Sequence, residues 1–388
     1  MLCGLYALDR GWKLGCTVCF FRRPLPAPLP TPEGSIAYPM VSLIQPITRG
    51  ASGLASNLNA RALLQYEGQI EHLLVCDDFD VDSQSLCSAF LEAWPELNGK
   101  LLLAVTENTA PASKVKKMET GFAQSAGEVI CFIDDDIAPR SDNLTLFVRH
   151  LYQDSVGSVF GLACYTNWSG IGSTLMSLFV NANALPSYIP LTFLTEPYTI
   201  TGHFFALRRE VFTECGGMEG LNKFISEDHE IARRVRTRGL RLMQTSALYD
   251  VENELPTMRD YHRQMTRWFV FTGRILWNLL TPAERGISAL GSLSGLAPPL
   301  LLIIALIAGT YSAWAAFAVA ILLAYSLYLG VETLILRRHT PYRYLPLLLY
   351  TWLFTPLQVL QTLCSDKAIW WRGQRLRIFP DGTYEVLR

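Results

Sequence analysis

Three consecutive carboxylates, Asp134, Asp135 and Asp136, follow directly after the apolar run at 129–133. A short buried strand that ends in acids delivers them to the carboxyl edge of an α/β sheet, where open sheets bind their ligands. Asp134 and Asp136 can share one divalent ion, and their hard oxygen ligands favour Mg²⁺ or Mn²⁺ over zinc. An isolated Asp-X-Asp is more often a solvated acidic turn, so this interpretation depends on the rest of the chain.

Two downstream segments add further polar groups that could do chemistry. Residues 226–230 read Ser-Glu-Asp-His-Glu at the start of a predicted helix, and residues 264–268 read Gln-Met-Thr-Arg-Trp. Asp228 could act as a general base, or it could only stabilise the helix N-terminus. Arg267 can pair with phosphate oxygens, while Trp268 offers a stacking or interfacial face.

Strand-like and helical patterns alternate around these residues. Strands are predicted at 41–45, 71–76, 100–105 and 129–133, with helices at 54–66, 84–93 and 114–126 between them. This repetition predicts a mostly parallel, right-handed wound α/β sheet. Its carboxyl edge would gather Asp78 and Asp80 with Asp134 and Asp136.

The order of these motifs resembles the GT-A glycosyltransferases of family two, and within them the bacterial branch of the ceramide glucosyltransferase type. The matching residues are an early acid at Asp78, the DxD at Asp134 and Asp136, the acid of a Glu-Asp pair at Asp228, and QxxRW at 264–268. Segments 179–183 and 188–197 point to the lipid branch, and coverage runs from about residue 38 to the C-terminal apolar stretches. The resemblance implies a GT-A, Rossmann-like catalytic domain.

The resemblance also implies a role for each matched residue. Asp78 corresponds to the acid that recognises uridine, although the alternative is a helix N-cap or turn residue. Lys114 corresponds to a lysine that contacts the donor phosphates. Asp134 and Asp136 would hold the metal, with Asp134 also contacting the nucleotide. Asp228 would be the general base of an inverting transfer. The diphosphate and acceptor would be contacted by Gln264, Arg267 and Trp268.

Hydrophobic residues make up 50% of the chain and are concentrated towards its C-terminus. The stretches 289–309 and 313–336 each exceed the roughly 20 residues needed to cross a bilayer. A third stretch, 345–363, is interrupted by Pro346 and Pro356 and is predicted to be re-entrant or interfacial. The net charge of −1 argues against a dedicated nucleic-acid binder.

Three domains are predicted from these patterns. Residues 1–37 form a short apolar segment and a proline-rich linker, 38–282 the GT-A domain, and 283–388 transmembrane or interfacial helices with a basic tail. The apolar run 12–21 is too short to span, and no cleavable signal peptide is evident. Scattered cysteines indicate reduced thiols. The predicted location is a multi-pass membrane protein with its catalytic domain in the cytoplasm, at a bacterial inner membrane.

The resemblance implies an inverting hexosyltransferase that moves a hexose, with glucose favoured, from a UDP-sugar to a membrane lipid hydroxyl. A ceramide-like acceptor is favoured, but the His-Pro pair of the animal enzymes reads Leu185-Pro186 here. Alternatives are another lipid acceptor, such as diacylglycerol or a hopanoid, and a polysaccharide synthase, which shares QxxRW. A catalytically inactive, membrane-anchored nucleotide-sugar-binding protein is the non-enzyme alternative, and the intact carboxylate set argues against it.

Overall fold

The computed structural model describes residues 1–27, 38–51, 53–106, 113–364, 368–371 and 374–387. Part of the predicted proline-rich linker, residues 28–37, therefore lies outside the described residues, and the domain boundary predicted there stays a prediction. The described part holds a large sheet flanked by helices, long apolar helices, and a small sheet near the C-terminus.

Eight strands form the large sheet, in the order β3-β2-β1-β4-β7-β6-β8-β5. They are β1 (Val41–Pro46), β2 (Ile70–Asp77), β3 (Asn98–Ala104), β4 (Val129–Ile133), β5 (Ile137–Pro139), β6 (Val156–Tyr165), β7 (Phe204–Arg208) and β8 (Arg241–Val251). Strands β1 to β4 lie parallel, and β6 and β8 continue in the same direction. Only β7 and β5 run antiparallel to their neighbours. The predicted mostly parallel α/β sheet is confirmed.

Eleven α-helices lie before Pro282 in the described part of the chain, several of them between strands of the large sheet. They are α1 (Leu2–Phe21), α2 (Leu54–Ala62), α3 (Val81–Ala93), α4 (Ser113–Gln124), α5 (Asn143–Leu151), α6 (Ile171–Phe179), α7 (Leu185–Leu191), α8 (Arg209–Glu214), α9 (Glu227–Thr237), α10 (Met258–Val270) and α11 (Trp277–Leu279). Successive residues of one strand point to opposite faces. Leu43 accordingly packs in one apolar core and Ile44 in the other.

Four further helices form the apolar C-terminal region, α12 (Pro282–Leu293), α13 (Ala297–Ala308), α14 (Tyr311–Val331) and α15 (Leu347–Cys364). Among the described residues, three helical stretches are long and apolar enough to cross a membrane, namely Pro282–Ala308, Tyr311–Leu336 and Tyr342–Cys364. The chain ends in a small antiparallel sheet of β9 (Ala368–Trp371), β10 (Gln374–Ile378) and β11 (Tyr384–Leu387). We call it the C-terminal sheet.

The N-terminal helix is longer than the apolar run at 12–21 indicated, because its charged residues are paired. Lys13 is buried and donates to Ser294 Oγ at 2.9 Å, and Arg10 Nη2 donates to the same oxygen at 2.8 Å. Asp9 pairs with both cations. These contacts hold α1 against the turn between α12 and α13.

Candidate active site

The strand directions explain how residues far apart in sequence meet. The carboxyl ends of β2, β4, β6 and β8 lie at one edge of the sheet, and the amino end of antiparallel β7 lies at the same edge. Each strand end supplies a polar residue there, Asp77, Asp134, Tyr165, His203 and Asn253. This is the edge at which open α/β sheets bind ligands.

Backbone contacts fix the acidic loop after β4. The Asp134 N–H donates to the His203 carbonyl at 2.8 Å, and Gln45 Nε2 donates to the Asp134 carbonyl at 3.0 Å. The Asp135 carboxylate accepts a hydrogen bond from the Thr48 N–H. Asp135 therefore anchors the loop to the end of β1, which leaves the side chains of Asp134 and Asp136 for other contacts.

A buried arginine supports this loop on the side of β1 and β2, which we call the side behind the loop. Arg61 is fully buried and donates to His72 Nδ1 at 2.9 Å, to Gln45 Oε1 at 2.7 Å and to the Leu43 carbonyl at 2.6 Å. Burial lowers the pKa of Arg61 to about 9, which still leaves it charged at neutral pH. Because Gln45 in turn contacts Asp134, this chain of hydrogen bonds fixes the position of the acidic loop.

Lys114 joins the acidic loop to helix α9. Its Nζ lies 2.7 Å from Asp134 Oδ1 and 2.7 Å from Glu227 Oε1. Burial alone would lower the pKa of Lys114, but the two carboxylates outweigh it and raise the pKa. One ammonium thus brings the DxD loop and the helix that carries Asp228 together.

Asp228 is the second residue of α9, and its carboxylate is held in a defined orientation. Its Oδ1 accepts from the Ser226 hydroxyl and from the His229 N–H at 2.9 Å, and lies 3.1 Å from His229 Nδ1. Burial would raise the pKa of Asp228, but His229, Ser226 and Lys114 together lower it. A Cβ on Gly202 would come within 2.5 Å of Asp228 Oδ2, so a larger residue at this position would displace the carboxylate.

The QxxRW residues lie on α10 and reach the same region. Trp268 packs with its ring 6.4 Å from those of Tyr165 and Phe179, and Arg267 Cζ lies 6.0 Å from the ring centre of Trp371. Arg267 and Asp228 both influence the pKa of His203, which burial lowers overall. Gln264 is partly buried on the same helix.

Asp136 has one buried carboxylate oxygen, Oδ1, without a hydrogen-bond partner among the described residues. Burial and the neighbouring Asp134 raise the pKa of Asp136 to about 6. No group of three or more His, Cys, Asp or Glu side chains within the described residues is arranged to hold a metal. Two carboxylates still suit Mg²⁺ or Mn²⁺, since diphosphate oxygens of a donor commonly complete such sites.

The three acids at the end of β2, at positions 77, 78 and 80, make different contacts. Asp78 is exposed, whereas Asp77 is buried and pairs with Lys117 at 3.0 Å. Asp80 caps helix α3, with Oδ1 accepting from the Ser83 N–H at 3.3 Å. The capping task considered for Asp78 is thus performed by Asp80, and the nucleotide role of Asp78 stays a prediction.

The sequence profile described as Glycosyl transferase family 21 matches residues 13–384, nearly the whole chain. The chain belongs to glycosyltransferase family 21. The predicted assignment to a family of glycosyltransferases is thereby confirmed.

Relatives of this family 21 chain are also glycosyltransferases. It is 27% identical over 246 residues to the probable glycosyltransferase YdaM of Bacillus subtilis (strain 168), covering 61% of this chain and 56% of that protein. It is 21% identical over 238 residues to ceramide glucosyltransferase 1 of Caenorhabditis elegans, covering 61% of this chain and 50% of that protein. The chain therefore spans about half the length of the curated relatives it matches.

Among solved structures, the chain is similar to a mannosyltransferase from Pyrobaculum calidifontis in complex with GDP-Man and Mn²⁺. The TM-score is 0.48 at 18% identity, with 93% of this chain and 99% of that chain covered. At this score the likeness carries no conclusion about activity. The family and the mostly parallel sheet with its helical C-terminal region confirm the predicted GT-A fold class. The bacterial ceramide glucosyltransferase branch stays a prediction.

Sequence reasoning missed three residues of this family 21 site. Glu227 entered the prediction only as the neighbour of Asp228 in the Glu-Asp pair, yet it is one of two carboxylates that hold Lys114. Asp135 stands between the two expected ligands and serves as the anchor to Thr48. His203 carries no motif signal, and only the antiparallel pairing of β7 with β4 brings it to the site.

Proposed function

We propose that the chain is an inverting hexosyltransferase that moves glucose from UDP-glucose to the hydroxyl of a membrane lipid of the ceramide type. The observation that carries this proposal is the double contact of Lys114 with Asp134 and Glu227, each at 2.7 Å. It joins the residues suited to hold a diphosphate with the helix that carries a suitable base. The name of the ceramide glucosyltransferase relative supports the choice of sugar and acceptor.

In an inverting transfer, the acceptor oxygen attacks the anomeric carbon from the face opposite the leaving diphosphate. Asp228 takes the proton of that hydroxyl, because a carboxylate within reach of the acceptor can act as the general base. Ser226 and His229 orient the carboxylate. The remaining oxygen, Oδ2, lies beside Gly202 and is the one we assign to the acceptor proton.

The donor diphosphate gains negative charge as the bond to the sugar breaks. Asp134 and Asp136 would hold the metal ion, and a bound Mg²⁺ or Mn²⁺ neutralises part of that charge. Lys114 and Arg267 supply positive charge from the protein itself. Both charges act on His203, where burial and these two cations lower the pKa. We assign Asp78 to the uracil base, Gln264 to the diphosphate, and Trp268 to the acceptor.

The acceptor proposal depends on a membrane surface beside the site. The segment that follows α7 exposes large apolar side chains, among them Phe193 and Leu194. This segment adjoins the first apolar helix, where Tyr198 Oη lies 2.8 Å from Ser288 Oγ. An exposed apolar patch next to apolar helices is suited to lipid contact.

We further propose that the apolar helices form one membrane hairpin followed by an interfacial helix. The first stretch begins at the catalytic domain, where Glu284 pairs with Arg236. The second returns to that domain, since Arg140 donates to the Leu336 carbonyl at 3.3 Å. The turn between them exposes Tyr311 at 98%. The length of α14, 21 residues, corresponds to about 32 Å, enough for the hydrocarbon core.

The third stretch is proposed to lie along the membrane surface. On α15, Tyr350 and Gln358 contact the two ring nitrogens of His262 on α10, at 3.0 Å and 2.8 Å. The C-terminal sheet then contacts the catalytic domain, through the Ile225 N–H and the Gly382 carbonyl at 3.1 Å. A chain that returns to the same side crosses the bilayer an even number of times. Three full crossings are incompatible with that contact.

Product analysis tests the proposed reaction. Membranes that contain the protein are incubated with labelled UDP-glucose, other nucleotide sugars and lipid extract, and the products are identified by mass spectrometry. Membranes with Asp228→Asn serve as the control. We expect a glucosylated lipid of inverted anomeric configuration from the native protein only. Transfer to a soluble sugar in preference to lipid would contradict the proposal.

Site-directed labelling tests the topology. Cysteines replace Tyr311 at the hairpin turn and Val386 in the C-terminal sheet, in a chain whose exposed Cys19 and Cys364 are changed to Ser. A membrane-impermeant maleimide is expected to reach the two positions from opposite sides of the membrane. Labelling of both from one side would contradict the hairpin.

A further inference from the structure

The C-terminal sheet is built against the catalytic domain. Its inward side chains Ile369, Leu376 and Ile378 are buried and share one apolar cluster with Ile225 and Val270 of the catalytic domain. Ile225 precedes the Asp228 helix, and Val270 ends the helix that carries QxxRW. One sheet thus touches both segments that supply the proposed catalytic groups.

Backbone contacts tie this sheet to the segment before Asp228. Phe224 pairs with Thr383 as an antiparallel bridge, and the Ile225 N–H donates to the Gly382 carbonyl at 3.1 Å. Tyr384 Oη donates to the Asn222 carbonyl at 3.4 Å. These bonds attach the segment directly before Ser226 to the C-terminal sheet through one isolated β-bridge and the flanking hydrogen bonds.

The turn that makes these bonds has a defined shape. Gly382 has a φ of +88°, a conformation that other residues rarely adopt. The Asp381 carboxylate accepts from the Thr383 N–H at 3.0 Å and from its hydroxyl at 2.7 Å. The Gly382 carbonyl is therefore held in place to receive the Ile225 N–H.

The same sheet touches the QxxRW motif through an aromatic ring. Arg267 Cζ lies 6.0 Å from the ring centre of Trp371, at the outer limit for attraction between a guanidinium and an aromatic face. The neighbouring Trp370 points the other way and is 65% exposed. Adjacent strand residues face opposite sides, so only one of the two tryptophans faces the catalytic domain.

We propose that the C-terminal sheet is a positioning element of the active site, in which Trp371 orients Arg267 and the 381–383 turn holds the segment that leads to Asp228. This inference rests on the roles proposed above for Arg267 and Asp228. Trp371 acts through Arg267 and touches neither substrate. Its loss reduces the fraction of molecules in which the guanidinium points to the leaving diphosphate.

The test compares three single variants of the full-length protein in detergent or membranes. Trp371→Leu keeps an apolar side chain but removes the ring face, Trp371→Phe restores a ring, and Trp370→Leu is the matched control on the opposite face. We expect Trp371→Leu to lower kcat about 2- to 5-fold, the range of such contacts at exposed sites. The donor KM should change less, Trp371→Phe should recover most of the rate, and Trp370→Leu should leave it unchanged.

Combining the variants with Arg267→Ala separates this inference from the proposed function. If Trp371 acts through Arg267, Trp371→Leu has no further effect on kcat in the Arg267→Ala background. An equal loss in both backgrounds, or equal losses for Trp370→Leu and Trp371→Leu, overturns the positioning role. Unchanged transfer by Arg267→Ala alone contradicts the role of Arg267 itself. The melting temperatures of the variants show whether a rate loss reflects unfolding.

Discussion

The two sides of the acidic loop at 134–136 differ in how their polar groups are satisfied. Behind the loop, Arg61 uses all three of its nitrogens on His72, Gln45 and the Leu43 carbonyl. In front of it, buried polar atoms have no hydrogen-bond partner within the described residues. They are Asp136 Oδ1, Tyr165 Oη, His203 Nδ1 and Tyr249 Oη.

Each unpartnered buried polar atom costs about 1–3 kcal/mol, so a fold retains several together only where something compensates. The paired side has a structural task, because its bonds fix the loop to β1 and β2. The unpaired side retains donors and acceptors for a ligand. Changes on the first side should therefore affect stability, and changes on the second should affect binding and rate.

The largest effect is expected for Asp228→Asn on the ligand side. Removing the proton acceptor should lower kcat about 100- to 10,000-fold while donor binding stays near native, because the diphosphate site is unchanged. Turnover and UDP-sugar affinity are measured separately, with the exposed Asp154→Asn as control. Near-native turnover would mean that another residue is the base.

The next largest effect is expected for Arg61→Met on the structural side. It leaves His72, Gln45 and the Leu43 carbonyl without their donor, at about 1–3 kcal/mol for each buried group. Chemical denaturation should show a free energy of unfolding several kcal/mol lower. The folded fraction should keep its donor affinity. A loss of donor affinity without a loss of stability would contradict the comparison.

Asp136→Ala and Asp135→Asn test the two sides within one loop. Loss of an outer-sphere partner typically lowers metal affinity by about 10- to 100-fold, and Asp136→Ala should weaken metal-dependent donor binding by more than that. Excess Mn²⁺ should restore donor binding only partly. Asp135→Asn should mainly lower stability, because it weakens the bond to Thr48. Metal titrations of donor affinity provide the measurement. Unchanged metal dependence in Asp136→Ala would remove Asp136 from the site.

The smallest effect is a dependence of stability on pH through His72. Burial and Arg61 lower the pKa of His72 to about 2, far below its usual value. The unfolded chain therefore binds the extra proton first, and this contribution to stability is complete above about pH 6.5 and falls by about 1.4 kcal/mol per pH unit below it. Unfolding midpoints between pH 7 and 5.5 should fall less steeply in His72→Gln. Equal slopes in both proteins would exclude His72 as the cause.

The sheet and its acidic edge were predictable because strand and helix patterns alternate with clear periods. The strands at 71–76 and 129–133 agree closely with β2 and β4, and Asp134 and Asp136 follow as expected. The contacts of Arg61 were not predictable, because a lone arginine on α2 carries no signal of burial. The C-terminal sheet was not predicted from the sequence, for a related reason. Its contacts to Ile225 and Arg267 depend on how the apolar helices fold back, which no local pattern records.

The C-terminal sheet follows the apolar helices in sequence, and this order determines when the parts of the candidate site are synthesised. Ribosomes release the N-terminal part first, at about 5–20 residues per second, so Arg267 and Asp228 are present well before Trp371 and Gly382. All three apolar stretches emerge in between. On the topology proposed above, the candidate site is complete only after the hairpin has inserted and α15 has packed against α10. The proposed topology and site together predict that a chain that does not insert lacks the contacts of Trp371 and Gly382, so that transfer requires correct insertion.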